Sequence, residues 1–127
     1  MTFRLLACAL ALAAAFPAQA QDHGASQLNG EWTLDLRPSN DAPAYIKSMK
    51  LDITPAGVVG GTFYDHAIED GRAFNGKGRT CFAFHTSDNT GPYQTSGCLV
   101  GDRIEGQSWS EGRKFLLTWT ATRAPLR

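Results

Sequence analysis

The sequence predicts an all-β domain, a small antiparallel up-and-down meander that closes into an eight-stranded barrel. Short segments alternate apolar and polar side chains with a period of two, which is typical of strands with one buried face. Clusters of Gly, Pro, Asn and Asp separate these segments, and no window after the first twenty residues has a helical period. Sequential hairpins favour a meander over an open sandwich, and closure into a barrel removes exposed strand edges.

The first twenty residues predict a secretory signal peptide. Arg4 precedes an apolar stretch from Leu5 to Phe16, and the small residues Ala18 and Ala20 follow it. This pattern predicts cleavage after Ala20 and a protein that is periplasmic or secreted. A lipoprotein interpretation of Cys8 would leave almost no apolar segment ahead of the cysteine, so we favour ordinary cleavage.

The size and charge of the mature chain limit its partners. Removal of residues 1–20 leaves 107 of the 127 residues, which is one small domain. The chain has 12 cationic and 12 acidic side chains, and loss of Arg4 leaves 11 against 12, a net charge of minus one. We therefore expect no nucleic-acid partner. No later segment approaches the ~20 apolar residues of a transmembrane helix, so we also expect no membrane insertion.

The first strand follows a polar N-terminal segment. Residues 21–29 are small and polar and predict a flexible lead, with the barrel domain spanning residues 30–127. Trp32, Leu34 and Leu36 alternate with polar residues, which predicts a half-buried strand. Pro and Asn residues after Leu36 then end it.

The second and third strands form a hairpin about Pro55-Ala56-Gly57. They run from about Ile46 to Thr54 and from Val58 to His66. Pairing across the turn sets three inward pairs opposite each other: Met49 with Phe63, Leu51 with Gly61, and Ile53 with Val59. The segment from Ala67 to Arg79 is irregular, with a short strand expected near Arg72 to Asn75.

Four consecutive strands are predicted from Thr80 to Arg123, with turns at Asp88 to Pro92, Gly101-Asp102 and Glu111-Gly112. These three registers, chosen separately, place the same residues on one face, whereas a slip of one residue would scatter them. The inner rows are Thr80, Leu99, Ile104 and Trp119; Phe82, Gly97, Gly106 and Leu117; and Phe84, Thr95, Ser108 and Phe115.

The two cysteines of the mature chain predict one disulfide, Cys81 to Cys98. Oxidising compartments favour the bond, and the predicted register sets the two residues opposite each other. A loop of this length contributes about 3 kcal/mol in the chain-entropy model. Two unpaired thiols are the alternative.

Parts of the sequence resemble known families. Gly30-Glu31-Trp32, the strand Gly60-Gly61-Thr62-Phe63-Tyr64 and Trp119 resemble calycin-type barrels of the lipocalin and avidin-like groups. The run Cys81 to Asp88, with matches further along the C-terminal half, is similar to a group of small exported bacterial proteins that have no established activity. The first resemblance implies a barrel that binds a small molecule, and the second implies no chemistry.

The inner rows favour a ligand site inside the barrel. Phe82 and Leu117 bracket two glycines, which would leave a recess if the barrel is wide enough. We predict that a small apolar or amphipathic molecule binds there, lined by Trp32, Phe84, Thr95, Ser108 and Trp119. The alternative is that the small residues only accommodate bulky neighbours at native packing density.

A second functional hypothesis is an envelope protein-interaction module or inhibitor. Trp109 points outward by parity, beside Gln94 and Lys114, and Tyr93 lies near a loop. Exposed aromatic residues are enriched where proteins bind partners. This hypothesis uses Tyr93, Trp109 and the segment Ala67 to Arg79, while the alternative for the aromatic residues is cross-strand packing.

No catalytic motif emerges, and we expect a protein that is not an enzyme. His66 and His85 lie at strand ends in different hairpins, without a metal-ligand spacing. Ser108 lacks the second glycine of a nucleophile elbow. We therefore expect no metal and no cofactor.

Overall fold

The computed structural model describes residues 11–14 and 23–125 and is a closed eight-stranded antiparallel up-and-down barrel. The predicted fold class is confirmed. The predicted signal peptide, including Cys8, lies outside the described residues except for 11–14 and stays a prediction. The strands are β1 (Gly30–Asp35), β2 (Ile46–Ile53), β3 (Val58–Phe63), β4 (His66–Ala67), β5 (Glu69–Gly76), β6 (Arg79–Asp88), β7 (Gly91–Val100), β8 (Arg103–Ser110) and β9 (Phe115–Arg123).

Hydrogen bonds run around the whole barrel. Neighbours follow the order β2, β1, β9, β8, β7, β6, β5, β3, and pairing of β2 with β3 closes the circle. The two-residue strand β4 pairs with the end of β3 and is not one of the eight strands that form the barrel. We call the end with residues 36–45, 64–65, 89–90 and 111–114 the loop end, and the end with the turns at 54–57, 77–78 and 101–102 the closed end.

Three predicted hairpin registers are confirmed. Met49 pairs with Phe63 between β2 and β3, and Cys81 pairs with Cys98 between β6 and β7. Across β7 and β8, Gly97 pairs with Gly106. The disulfide Cys81–Cys98 is present, with Cα atoms 4.0 Å apart.

The predicted register of β8 with β9 is wrong by two residues. Gly106 pairs with Trp119 instead of Leu117, because the connection is a four-residue loop, 111–114, and not a two-residue turn. The amide of Lys114 donates to the Ser110 carbonyl at 2.9 Å, and Lys114 has a positive φ of 56°. An even shift leaves every side chain on its predicted face.

The strand near Arg72 to Asn75 is longer than predicted. It is β5, Glu69–Gly76, with an irregular register between Glu69 and Arg72. Asp70 there has a φ of 53°. A bulge of this kind inserts one extra residue, so the side chains that follow it point to the opposite face from the one that alternation predicts. The period-two pattern that reveals the other strands is therefore hidden here. The segment is therefore a barrel strand and not a loop.

The core is filled by side chains from the predicted inner faces. The rings of Phe63 and Trp119 lie 5.4 Å apart between centroids, and those of Phe63 and Phe84 lie 5.6 Å apart. Eight core side chains of β1, β2, β3, β6 and β8 are at most 3% exposed: Trp32, Leu34, Met49, Leu51, Val59, Phe82, Phe84 and Ile104.

Residues 23–29 are fixed onto the closed end, which differs from the flexible lead predicted for 21–29. Ser26–Leu28 forms a short 3-10 helix, and Leu28 is fully buried. The Trp32 indole N–H donates to the Leu28 carbonyl at 2.9 Å. The Arg123 guanidinium lies 4.1 Å from the centroid of the Trp32 ring and donates to the carbonyls of Asn29 and Gln27.

Within residues 11–14 and 23–125, no helix has the length and apolar character needed to cross a bilayer.

Candidate functional site

A cavity of about 310 Å³ opens at the loop end of the barrel. We call it the cup. Strands β3, β6, β7, β8 and β9 and the connection 36–45 all contribute to its wall. Its lining consists of Leu36, Pro38, Tyr45, Phe63, Tyr64, His66, Thr86, Ser87, Asp88, Tyr93, Ser108, Arg113, Phe115 and Leu117.

The floor of the cup is a hydrogen-bonded layer of small polar groups on top of the aromatic core. Ser108 Oγ accepts a hydrogen bond from the Trp119 indole N–H at 3.1 Å. It also lies 2.8 Å from Thr95 Oγ1. Because all three groups are buried and partnered, the floor does not need water to satisfy its polar atoms.

The wall of the cup is mainly apolar. Phe63 and Leu117 line it near the floor, and Phe115 and Leu36 lie further out. Alternation brings Phe115 and Leu117 to the inside of β9, whereas Leu116 between them is 56% exposed on the outside. A cavity with such a wall favours an apolar body.

Two phenols meet at the mouth of the cup. The hydroxyls of Tyr45 and Tyr64 are hydrogen-bonded to each other, and their rings meet edge to face at 5.9 Å. The hydrogen bond from Tyr64 stabilises the protonated phenol and raises the pKa of Tyr45 to about 12. The Tyr45 hydroxyl therefore stays neutral at ordinary pH.

A third phenol, Tyr93, lies at the mouth beside Arg113. An Nη2 of Arg113 donates to the Tyr93 hydroxyl at 3.3 Å, and the guanidinium lies 4.6 Å from the centroid of the Phe115 ring. Arg113 reaches this position from the four-residue loop, where its backbone amide donates to Ser110 Oγ at 3.2 Å.

Asp88 is the acidic residue of the lining. Its carboxylate accepts hydrogen bonds from the Thr90 hydroxyl at 2.6 Å and from the Thr90 amide at 2.7 Å. The hydrogen bond from the Thr90 side chain is the main reason that the pKa of Asp88 lies below its usual value, and the Tyr93 hydroxyl and the charge of His66 lower it further. Asp88 is therefore held ionised within its own turn.

The predicted ligand-lining residues are all inside the barrel, at different depths. Ser108 lines the cup, with Thr95 and Trp119 bonded to it in the floor. Phe84 packs on Phe63 just below. Trp32 lies deeper, at the closed end beside the 3-10 helix.

The recess predicted over the two inner glycines is filled by protein. A Cβ atom built on Gly97 would lie 2.9 Å from the Phe82 ring and 3.2 Å from the Trp119 ring. At Gly106 the Trp119 ring is closer still, at 2.3 Å. The small residues therefore accommodate bulky neighbours, which is the packing alternative, and the open space lies one layer nearer the loop end.

The residues predicted to form an interaction surface lie in different parts of the barrel. Tyr93 belongs to the mouth of the cup. Trp109 lies on the outer surface, 38% exposed, and pairs with Gln94 as predicted and with Leu116 in place of Lys114. The segment Ala67 to Arg79 lies mostly in strand β5.

His66 and His85 also lie in different parts of the barrel. His66 lines the cup and stacks on Tyr64, with ring centroids 6.1 Å apart. His85 lies on the outside, with Nδ1 3.6 Å from Asp70 Oδ2. In the described ranges 11–14 and 23–125, no three His, Cys, Asp or Glu side chains group into a metal site.

Most of the residues at the mouth of the cup were not predicted from the sequence. Tyr45 and Arg113 come from connections whose paths have no period, and Arg113 enters the site only because the last loop has four residues. Leu36 was predicted on the buried face of the first strand but not as a residue of the site. The available signal was the concentration of all three tyrosines next to predicted turns at the same end of a meander.

The barrel and the cup together define the class of protein: a closed eight-stranded antiparallel β-barrel with an apolar cavity at one end, consistent with a calycin-like fold. Comparisons of the chain with family models, with curated proteins and with solved structures find no match.

Proposed function

We propose that this protein binds a small apolar or amphipathic molecule in the cup. The observation that carries the proposal is the cavity of about 310 Å³, which combines an apolar wall with polar groups gathered at its mouth. Ligand pockets usually begin at about this size and have this composition.

The volume sets the size of the ligand. It corresponds to the space of about ten water molecules in the liquid. A single ring with a short chain fits within such a volume, and a longer chain would extend through the open mouth. The tightly packed layer of Phe82 and Trp119 beneath the floor excludes deeper entry.

We propose binding without catalysis. Ser108 is the floor hydroxyl that lines the cup, and its partners are the indole of Trp119 and the hydroxyl of Thr95. Neither group can act as a general base towards a serine, since an indole N–H only donates and a threonine hydroxyl does not take up a proton at neutral pH.

The test is calorimetric titration of the protein with phenylbutanol, a neutral molecule with one ring and a short chain. Leu117→Trp places an indole inside the cup, because Leu117 lines it. The matched control is Leu116→Trp on the next residue of β9, whose side chain is 56% exposed on the outside.

We expect phenylbutanol to bind to the native protein and to the Leu116→Trp variant, and its affinity to fall at least tenfold in the Leu117→Trp variant. Absence of heat with the native protein, confirmed by ligand-observed NMR, would refute the proposal. Equal affinities for the two variants would place the ligand elsewhere.

We further propose that the protein is exported by cleavage after Ala20 and acts in the periplasm or outside the cell. The Cys81–Cys98 disulfide supports this proposal, because such bonds persist in oxidising compartments. The mass of the protein recovered from its native cells should correspond to a chain that begins at Gln21. A mass that includes Met1 would contradict export by cleavage.

A second candidate function, a protein-interaction module, has one observation in its favour. Trp109 and Leu116 are paired neighbours on the outer surface and are 38% and 56% exposed. Exposed apolar pairs of this kind occur at partner-binding surfaces. Trp109→Ala should remove a partner in pull-down from native cells and leave the melting temperature unchanged. An unchanged partner list would count against this function.

A further inference from the structure

We propose that the ligand of the cup carries a carboxylate on its apolar body and that Arg113 binds this carboxylate at the mouth. This inference rests on the proposed binding function and adds the chemical class of the ligand.

Arg113 is a cation without an anionic partner among the residues that the structure describes. The four ion pairs within that part of the chain involve Arg37, Lys50, His85 and Arg103. The contacts of Arg113 are the Tyr93 hydroxyl at 3.3 Å and the face of Phe115 at 4.6 Å. A guanidinium has five N–H donors, so these contacts leave most of its donors free for a planar oxyanion.

The acidic groups near the mouth are already bound by other partners. Asp88 accepts both hydrogen bonds from Thr90 within its own turn. Glu111 accepts a hydrogen bond from the Gln94 amide at 2.6 Å on the outer surface. Neither carboxylate forms an ion pair with Arg113, so the donors of the Arg113 guanidinium are left for a ligand.

The aromatic faces at the mouth argue against a cationic ligand. An aromatic cage binds a cation with its ring faces. Here those faces already contact cations of the chain itself: Lys47 Nζ lies 5.0 Å from the centroid of Tyr64 and 6.0 Å from that of Tyr45. Arg113 covers Phe115 in the same way. A cationic head would meet like charge at Lys47 and Arg113, whereas an anionic head would meet opposite charge at Arg113 and like charge only at Asp88.

A phenol hydroxyl beside the guanidinium adds a further donor for an oxyanion. The hydroxyl of Tyr93 lies within hydrogen-bond distance of both Arg113 and Thr90. A protonated phenol can donate to a carboxylate oxygen beside the guanidinium. The apolar wall below then holds the body of the ligand, with Phe63 and Leu117 nearest to the floor.

The experiment compares two probes of the same shape, phenylbutyrate and phenylbutanol, by calorimetry at neutral pH and low ionic strength. Arg113 is exposed, so the charge contributes modestly. We expect the carboxylate to bind about fivefold more tightly than the alcohol. Arg113→Gln should remove this preference, so that the variant binds the two probes with equal affinity.

The matched control is Arg103→Gln, which removes the same charge at the closed end, where Arg103 pairs with Glu105 on the surface. This variant should keep the full preference for the carboxylate. If it loses as much as Arg113→Gln does, net charge and not Arg113 sets the preference, and the inference is refuted.

The remaining outcomes separate the inference from the proposed function. Equal affinities for the two probes would overturn the inference and leave the proposed function intact, whereas failure of both probes would overturn both. If the Arg113→Gln variant does not fold, the salt dependence of binding to the native protein tests the inference instead. The carboxylate affinity should fall with added salt and the alcohol affinity should not, and an identical response would overturn the inference.

Discussion

The indole of Trp119 lies directly on the backbone of Gly106, so that a Cβ atom at Gly106 would stand 2.3 Å from Cζ2 of the ring. The two residues are cross-strand partners in β8 and β9. The indole is also tied to Ser108 by its N–H, at 3.1 Å. One glycine thus sets the position of the ring that supports the floor of the cup.

Gly106→Ala should therefore destabilise the barrel. The rigid indole cannot move aside without breaking its hydrogen bond, and overpacking of this kind costs about 2 kcal/mol. Gly60→Ala is the matched control, because the nearest atom to a Cβ there is the Asp52 carbonyl oxygen at 3.8 Å. Urea denaturation should show a lower free energy of unfolding for the first variant only. Equal values for the two variants would mean that the ring does not constrain Gly106.

Arg123 should hold the N-terminal segment on the closed end. It donates to the carbonyls of Asn29 and Gln27 while covering the Trp32 ring. Arg123→Met keeps most of the stem and removes the charge and both hydrogen bonds, with an expected loss of about 1 to 2 kcal/mol.

Hydrogen exchange gives the local readout for this variant. The Asn29 amide, bonded to the Ser26 carbonyl, and the Trp32 indole N–H should exchange faster. Arg103→Met, which breaks only a surface ion pair, should leave both rates unchanged. Unaltered exchange in the Arg123→Met variant would show that Arg123 does not fix the segment.

Removal of the disulfide should weaken the barrel without closing the cup. Cys81 and Cys98 are separated by 17 residues and lie towards the closed end of β6 and β7. The double variant Cys81→Ala/Cys98→Ala should lose about 3 kcal/mol in the free energy of unfolding. Its affinity for phenylbutanol should match that of the native protein. A loss of binding in a folded double variant would contradict the placement of the ligand at the loop end.

Tyr45 should titrate at unusually high pH. Its pKa is raised from 10.0 to about 12 by the hydrogen bond to Tyr64. Because the folded state holds this proton more tightly than the unfolded chain does, the contribution to stability is complete below pH 10 and is lost as the pH rises towards 12.

The measurement for Tyr45 is the ultraviolet absorbance of tyrosinate as a function of pH. In the native protein one phenol should ionise near pH 12, and Tyr64→Phe should return that pKa towards 10. Tyr93→Phe is the control, since Tyr93 bonds to Arg113 and Thr90, and it should leave the high pKa in place. A native protein with no phenol of raised pKa would contradict the contact between Tyr45 and Tyr64.

The barrel strands were predictable because their side chains alternate and the turns that connect them are short. The pairing of Phe84 with Thr95 follows from this pattern alone, and it is correct. The last hairpin was misplaced because hydrogen bonds from residues 113 and 114 to Ser110 make a four-residue loop, and composition does not reveal that preference. The two-residue error was even, so it left the inward face intact.

The candidate site was less predictable than the fold. Ser108 was correctly expected on the inner face, but the space around it depends on which large side chain occupies the neighbouring layer. Trp119 fills the glycine layer once the register shifts, and the cavity moves towards the loop end. Tyr45 reaches the mouth through a connection that periodicity cannot trace.

The most direct test of a ligand-binding cup is amide NMR of the native protein titrated with phenylbutyrate. The account predicts that shift changes concentrate at the loop end, in residues 36–45, 64–66, 86–93, 108, 110–115 and 117, and that the turns at 54–57, 77–78 and 101–102 stay unchanged. Changes centred on the closed end or on the outer surface around Trp109, or no saturable change at all, would contradict it.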